Sequence, residues 1–372
     1  MLRILALALG IVAALDATSA LADASRDCET MTDEAGIDAC GRAIRHSPHN
    51  FESYFNRGVK LYGKGELDRA VADFTKAIEL KPNFLEAYSN RGVAFERLDN
   101  PDRAIADETK VLQLDPNNAG GYFNRGNAYF DKREYGRARD DYTASIRLDN
   151  KQADVFNNRG NAYKALGDPD RAIADYVEAI EVDPDLFNAY ENFADVLLAK
   201  RDLDRAISLY TQTVELVPNL ARVYYKRGSA YDLKGDFDHA LADYGKTIEF
   251  DPNNADANNA DAYNGRCWLR ATHNVDLADA LADCDASLKL SPGDANVLGS
   301  RGFVYLRLGR LEEAIADFDS SLKAAPFQPD ELYARGLAKR KKGDRAGGDA
   351  DVLAAKLIKA DIDQIYAKYG AI

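Results

Sequence analysis

The chain has 372 residues, of which 29% are charged and 46% are hydrophobic, and its formal net charge is −13. A single compact core of this length would be unusual, so we expect several domains or an array of repeats. An acidic chain lacks the positive surface that nucleic acids and anionic lipids attract, so we expect no nucleic-acid partner.

The N-terminus has the features of a secretory signal peptide, assigned here to residues 1–22. Arg3 is a short basic start, Ile4–Leu15 is an apolar run of twelve residues, and Ala20–Ala22 supplies small residues for cleavage. Such a run is too short to span a bilayer. We predict cleavage after Ala22, with Ala24 as the alternative. The mature protein should be periplasmic or secreted, with no direct membrane insertion.

Four cysteines fall into two local pairs, Cys28 with Cys40 and Cys267 with Cys284. In an oxidising compartment this arrangement indicates two disulfides. His46 and His49 follow the first pair closely and make a zinc site the alternative, although the spacing fits none of the usual zinc-finger patterns. We expect disulfides, no bound metal and no cofactor.

A repeat of 34 residues dominates the rest of the chain. It is marked first by glycines at Gly58, Gly92, Gly126 and Gly160. A proline such as Pro82 follows 24 residues after most of these glycines, and an alanine lies four residues before an aromatic residue between them, as in Ala70 and Phe74. A spacing of four places both side chains on one face of a helix. Turn signals such as Asp168-Pro169 divide each unit into two helices, here called helix A and helix B.

This pattern resembles the tetratricopeptide repeat. Tyr54, Gly58, Leu61, Gly65, Ala70, Phe74, Ala77 and Pro82 match positions 4, 8, 11, 15, 20, 24, 27 and 32 of that repeat. The resemblance covers nearly all of residues 27–360. It implies an all-α fold, a right-handed solenoid of stacked antiparallel helix pairs that binds a protein or peptide partner in a concave groove.

Nine helix pairs are expected, starting near Phe51, Leu85, Ala119, Ala153, Phe187, Ala221, Ala260, Ala295 and Pro329. Residues 23–50 form a degenerate repeat before them, residues 51–254 hold six pairs, and residues 255–360 hold three. The seventh pair has a lengthened entry and the second cysteine pair. Residues 361–372 are expected to form a capping helix that covers the last apolar face.

An arginine and an aspartate recur together in eight of the nine pairs. They are Arg57/Asp73, Arg91/Asp107, Arg125/Asp141, Arg159/Asp175, Arg227/Asp243, Arg266/Asp283, Arg301/Asp317 and Arg335/Asp351. The fifth pair has Phe193 and Leu209 instead, so both partners are lost together. We infer a structural ion pair between helices A and B of one unit, rather than a basic ladder for an anionic ligand.

Helix A supplies the residues expected in the groove. Position 6 carries Asn56, Asn90, Asn124, Asn158 and Asn192, whose amides suit the backbone of an extended peptide. Aromatic anchors are expected at Phe55, Phe123, Phe130, Tyr225, Trp268 and Phe303. The resemblance also suggests a carboxylate clamp at Asn161, Asn192, Arg222 and Lys226, in which Asn157 replaces the usual lysine.

The repeats leave no segment for a catalytic domain, and no phosphate loop, zinc-protease motif or nucleophile elbow occurs. We expect a non-catalytic, exported interaction scaffold. The alternatives are a structural subunit that uses its end or convex faces and a regulatory or carrier partner of a separate enzyme. The sequence leaves the partner and the oligomeric state open.

Overall fold

The computed structural model describes residues 25–250 and 257–370. The expected signal peptide and most of the lengthened entry to the seventh pair lie outside these residues. Within them every regular element is a helix, which confirms the all-α fold class. No helix in this part of the chain has the length and apolar character needed to cross a membrane.

Residues 25–30 are helical and precede twenty helices with named bounds. These are α1 Asp33–His46, α2 Phe51–Gly63, α3 Leu67–Leu80, α4 Leu85–Arg97, α5 Pro101–Leu114, α6 Ala119–Asp131, α7 Tyr135–Leu148, α8 Ala153–Ala165, α9 Pro169–Val182, α10 Phe187–Ala199, α11 Leu203–Leu216, α12 Ala221–Lys234, α13 Phe237–Phe250, α14 Ala257–His273, α15 Leu277–Leu290, α16 Ala295–Arg307, α17 Leu311–Ala324, α18 Pro329–Lys342, α19 Arg345–Ile358 and α20 Ile362–Lys368.

The helices divide into two compact parts, one ending at Ala189 and the other beginning at Tyr190. For every pair that lies wholly within one part, helices A and B pack against each other, and helix B packs against the helix A that follows it in that part. The expected helix starts hold in eight pairs. The seventh pair differs because α14 begins at Ala257 rather than near Ala260.

Local sequence explains where the helices begin and turn. The side chain of Asp168 accepts a hydrogen bond from the backbone N–H of Arg171, with Pro169 at the first helical position. The tight turn inside the first pair requires a left-handed residue, and Gly65 has a φ of 82° there. Asp168 therefore sets where α9 begins, and Gly65 turns the chain between α2 and α3.

Glycine at position 8 lets helix A approach a ring on helix B. A Cβ atom added at Gly58 would lie 2.7 Å from the Phe74 ring, and one at Gly160 would lie 2.6 Å from the Tyr176 ring. Both rings are fully buried. Any larger residue at position 8 would therefore push the two helices of that pair apart.

Each of the eight arginines contacts the aspartate of its own helix pair. In the fourth pair, Arg159 donates from Nε to Asp175 Oδ2 at 2.8 Å and from Nη2 to Oδ1 at 2.7 Å. The exposed fraction of the side chain is 17% for Arg159 and 6% for Asp175. This two-pronged geometry holds helix A against helix B in a setting largely shielded from water.

The aspartates of the first three pairs are buried in the same way. Asp73, Asp107 and Asp141 are 6%, 5% and 8% exposed, and each carboxylate accepts two hydrogen bonds from its arginine at 2.7–2.8 Å. The structure leaves none of these three aspartates accessible to a ligand. Their contacts fit the structural role and not a ligand-binding one.

Six of the same arginines also bind the preceding pair, a contact that the sequence analysis missed. Arg91 donates from Nη1 to Thr75 Oγ1 at 2.9 Å, and Arg335 donates to Asp319 Oδ1 at 2.7 Å. The acceptor is at position 25, two residues after the aspartate of the preceding pair. One guanidinium therefore links three helices.

Both expected disulfides are formed, Cys28–Cys40 and Cys267–Cys284. The first bond occupies the two sulfurs that the zinc alternative required as ligands. The second joins α14 to α15 where other pairs have a glycine and a ring. No group of His, Cys, Asp and Glu within the described residues is arranged to hold a metal ion.

Glu108 occupies position 24 of the second pair, where neighbouring pairs have a buried ring. Its side chain is completely buried. Oε1 accepts hydrogen bonds from Asn124 Nδ2 at 3.0 Å and Ser89 Oγ at 3.4 Å, whereas Oε2 is buried with no hydrogen-bond partner. Burial raises the pKa of Glu108 to about 8, opposed by the bond from Asn124 and aided by the charge of Glu96.

The ion pairs predict a coupled mutational effect. Arg159→Ala should destabilise the protein by about 3 kcal/mol, because Asp175 stays buried without its partner. Adding Asp175→Ala should recover part of that loss, giving a coupling above about 1 kcal/mol in urea unfolding followed by circular dichroism. Arg137→Ala, whose side chain is 69% exposed, is the control and should change stability little. Additive single-variant effects would contradict the pairing.

Glu108 predicts a pH-dependent stability. The folded protein holds the Glu108 proton up to about pH 8, whereas the unfolded chain releases it near 4.5, so raising the pH between these values favours unfolding. We expect stability to fall by up to about 1.4 kcal/mol per pH unit within this window. Glu108→Gln keeps an acceptor for Asn124 and removes the titration, so the slope should decrease. Glu79→Gln, with a side chain 58% exposed, should leave it unchanged. Equal slopes in all three proteins would contradict this account.

Candidate peptide-binding surface

The candidate surface consists of positions 2, 5, 6, 9 and 12 of the first helix of each pair, and is called the A-face here. All five position-6 asparagines are half-buried. Asn90 Nδ2 donates to the carbonyl of Glu86 in its own helix at 2.8 Å. Asn124 instead donates to Glu108 of the preceding pair at 3.0 Å. The side-chain amides of Asn90 and Asn124 therefore form hydrogen bonds within the protein itself.

A second polar column at position 9 anchors the buried tyrosines. Tyr142 OH donates to Asn127 Oδ1 at 2.9 Å, and Tyr176 OH donates to Asn161 Oδ1 at 2.8 Å. Asn158 Nδ2 then donates to Asn127 Oδ1 at 3.1 Å. These bonds connect the buried ring of the third pair, through Asn127, to an A-face amide of the fourth pair.

A pocket of about 210 Å³ opens on the A-face between α6 and α8. It is lined by Asn127, Phe130, Asp131, Tyr142, Asn158 and Asn161. Amides, one carboxylate and the edge of an apolar ring are the groups that bind an extended peptide with its side chains. Since hydrogen bonds fix Asn127 and Asn158, the pocket is formed before a ligand binds.

The expected aromatic anchors of the first, third and sixth pairs pack on core rings. The ring centroids of Phe55 and Phe74 are 5.9 Å apart, and those of Phe123 and Tyr142 are 6.1 Å apart. Tyr225 lies 5.9 Å from Tyr244 in the same way. All three anchors are half-buried. Each therefore presents only part of its ring to a ligand.

Phe130 differs because its contact is to the start of helix B. Its ring lies 5.1 Å from that of Tyr135, in an edge-to-face arrangement, and it is half-buried. Phe130 is the expected anchor that lines the pocket between α6 and α8.

The expected anchor role of Phe303 is wrong, because α20 covers it. Phe303 is only 1% exposed, and its ring lies 5.6 Å from that of Tyr366. Trp268 is half-buried and lies 5.9 Å from Tyr369. Arg307 donates to the carbonyls of Tyr369 and Gly370 and so holds these two residues there. The C-terminal helix thus packs over the A-face of pairs seven to nine.

The helix α20 covers the last pair, as expected of a capping helix, and also covers residues of earlier pairs. Ile362 and Tyr366 are buried against the last pair, and Tyr366 OH donates to the carbonyl of Asp330 at 2.9 Å. Beside this helix is a pocket of about 290 Å³ with Asn264, Asn296 and Glu331 among its lining residues. Tyr366 of α20 forms part of its wall.

The two cations proposed for the carboxylate clamp are engaged by acidic residues of their own part of the chain. Arg222 donates to both oxygens of Glu191, at 3.0 and 2.9 Å. Lys226 Nζ donates to Glu191 and to Asp195, each at 2.8 Å. Burial alone would raise the pKa of Glu191, but these two cations hold it below its usual value. A ligand carboxylate would have to displace both acids.

Several features of the surface were not found from the sequence. Asn127 was overlooked because position 9 has no common residue across the nine pairs. In the four pairs with tyrosine at position 24 it is asparagine, aspartate or serine, and each accepts from that tyrosine. The signal available was the coincidence of a polar residue at position 9 with tyrosine at position 24. Nothing in the repeat pattern indicates that α20 turns onto the A-face.

Comparisons with known proteins agree with this architecture. Models of the tetratricopeptide repeat match residues 85–118, 153–186, 221–254 and 274–329, and a TPR repeat model matches residues 60–99 and 126–167. No curated protein matches the chain in sequence.

Three solved structures illustrate the likeness. The C-terminal part of a TPR repeat-containing protein from Cytophaga hutchinsonii is 20% identical with a TM-score of 0.54, over 66% of this chain and 98% of that one. Cut9–Hcn1 of the APC/C is 16% identical with a TM-score of 0.52, over 82% and 59%. YrrB, a TPR protein with an unusual peptide-binding site, is 29% identical with a TM-score of 0.41, over 48% and 93%. The first two share the helical fold, and the repeat models match helix pairs in both parts of the chain, so this chain belongs to the tetratricopeptide repeat family.

Proposed function

We propose that this protein is an exported, non-catalytic scaffold that binds an extended segment of a partner protein on the A-face of its N-terminal part. The observation that carries the proposal is the pocket between α6 and α8. Its amides are held in place by buried tyrosines and by each other, and Phe130 offers an apolar contact beside them. A preformed polar site with one ring suits a peptide backbone and a single anchoring side chain.

The two parts of the chain support different roles for the A-face. In the C-terminal part, α20 already covers Phe303 and packs on Trp268. In the N-terminal part, Asn158 and Phe130 line an open pocket. The ligand is therefore assigned to the third and fourth pairs.

Export is proposed from the first 22 residues together with the two disulfides. Both cysteine pairs are bonded, which suits an oxidising compartment such as the periplasm or the outside of the cell. A structural subunit of an envelope assembly and a regulatory partner of an enzyme remain the rival roles within this setting.

Affinity capture from the compartment that contains the mature protein tests the binding surface. Phe130→Lys introduces the residue that the next pair carries at the same position, Lys164, so the fold should be retained. We expect it to remove the captured partner, with a loss of affinity of about tenfold or more once the partner is purified. The matched control is Leu166→Lys, which adds the same charge at a site 45% exposed and should keep the partner. Retention by both variants would assign binding to another face.

Mass spectrometry of the exported protein tests the localisation. With cleavage after Ala22, the mature chain should begin at Asp23 and give no reaction with a thiol reagent until it is reduced. Reduction should then lower its stability by roughly 3 kcal/mol for each bond in the chain-entropy description. An intact N-terminus or free thiols in the folded protein would contradict export.

A further inference from the structure

The pocket of about 290 Å³ beside α20 has a wall that differs from the rest of the A-face. It combines the rings of Trp268 and Phe303, the amide of Asn264 and the carboxylates of Asp330 and Glu331. No lysine or arginine is among the described residues that line it. Small-molecule sites in proteins begin at about 300 Å³, so the size suits a small ligand. We call this cavity the C-terminal pocket.

Glu331 departs from the repeat. It is at position 3, and the eight earlier pairs all have a small or apolar residue there, buried in each case: Ser53, Ala87, Gly121, Val155, Ala189, Val223, Ala262 and Val297. A carboxylate at this position is therefore a property of the ninth pair and not of the repeat.

Gly299 of α16 leaves room for this carboxylate. Position 5 is glycine only in the eighth pair, and the other pairs have larger residues there, such as Ser89, Asn157 and Tyr225. A Cβ atom added at Gly299 would lie 2.5 Å from Glu331 Oε1. The two departures from the repeat therefore meet at one contact, where a missing side chain on one helix makes space for the carboxylate of another.

The rings of the pocket are a third departure. Position 9 is aromatic only at Trp268 and Phe303, whose ring centroids are 5.4 Å apart. The other pairs have aliphatic or polar residues there: Val59, Val93, Asn127, Asn161, Asp195, Ser229 and Leu337. Packing against α20 explains the two rings. It does not explain a carboxylate beside them, because a charge in apolar surroundings costs free energy unless it is paired.

Two acceptors in this wall lack a partner among the described residues. Burial raises the pKa of Glu331, opposed by its own backbone N–H and aided by the charge of Asp330. Lys359 contacts Asp330 at 3.5 Å and makes no such contact with Glu331. Asn264 Oδ1 is buried and accepts no hydrogen bond. The pocket therefore offers negative charge and acceptors, and it needs a positive charge and donors.

The start of α18 does not account for Glu331. Acidic residues in the first turn of a helix are stabilised by the helix dipole, and Asp330 also supplies a carboxylate in this turn. That stabilisation is available to an exposed side chain, whereas Glu331 is half-buried. A role in the pocket explains why the carboxylate lies at the buried position of the turn.

We propose that the C-terminal pocket binds a small organic amine, whose ammonium group donates to Glu331 and Asn264 and whose apolar part contacts Trp268 and Phe303. An ammonium group supplies both the charge and the donors that the wall needs. Aromatic rings attract cations as well as alkyl groups. Because α20 covers Phe303, a free molecule is favoured over a chain lying along the A-face. This site is separate from the pocket between α6 and α8 and goes beyond the function proposed above.

Trp268 is the only tryptophan in the sequence, so its fluorescence reports on this pocket. Titration of the protein with n-pentylammonium chloride should change the fluorescence saturably, with a Kd of about 1 mM or tighter, and calorimetry should give the same Kd. The neutral probe 1-pentanol has the same alkyl chain and should bind at least about tenfold more weakly. Equal binding of the two probes, or no binding of n-pentylammonium, would overturn the proposal.

Protein variants test the roles of the carboxylate and of the space beside it. Glu331→Gln keeps the size of the side chain, removes its charge and should weaken n-pentylammonium binding about tenfold. Gly299→Ala displaces only the flexible end of Glu331, so the fold should be retained and binding should weaken similarly. The matched control Glu312→Gln, with a side chain 70% exposed, should bind normally. Unchanged binding by Glu331→Gln would overturn the proposal.

Two further probes decide between occupants of the pocket. Pentanoate tests whether the backbone N–H groups at the start of α18 make this an anion site instead. An acetylated and amidated Gly-Gly-Lys-Gly-Gly peptide presents the same ammonium group on a chain. Both should bind more weakly than n-pentylammonium. Tighter binding of pentanoate would assign the pocket to an anion, tighter binding of the peptide would assign it to a lysine of a partner protein, and either result would overturn the proposal.

Discussion

The close approach of two helices within each pair is the constraint on which the structure depends. Glycine at position 8 lies against the ring at position 24, so closely that a methyl group has no room at Gly126 beside Tyr142. At that separation Arg125, one residue earlier, reaches both oxygens of Asp141 on the other helix with two of its nitrogens. The same distance between helices A and B therefore allows both the contact of the glycine with the ring and the ion pair.

The candidate surface follows from the same contact. A tyrosine that fits beneath position 8 extends its hydroxyl to position 9, where Asn127 or Asn161 accepts it on the A-face. The buried ring thus orients a surface amide, and the amide of the next pair binds to it in turn. Where Glu108 replaces the ring, the amide of Asn124 donates instead to a buried carboxyl group, whose pKa is raised by burial to about 8.

Most of the fold could be predicted from the sequence because nine similar units provide their own controls. The simultaneous loss of arginine and aspartate at Phe193 and Leu209 indicated their pairing without any structure. The candidate site was less predictable. Asn158 was expected to face a ligand, yet whether its amide also binds the scaffold depends on Asn127 in the preceding pair. Phe303 was assigned to the ligand from its position in helix A. A capping helix was expected on the last apolar face, whereas α20 also covers Phe303.

The end of the array shows why a repeat protein needs more than its repeats. Each helix B is completed by the helix that follows, so the last one must be capped or exposed. Here α20 protects the inner residues Val352 and Ala355 but turns away to cover Trp268 and Phe303, and Leu353 and Leu357 stay exposed. A polar residue at these two positions would have been sufficient for solubility, as it is in the earlier pairs.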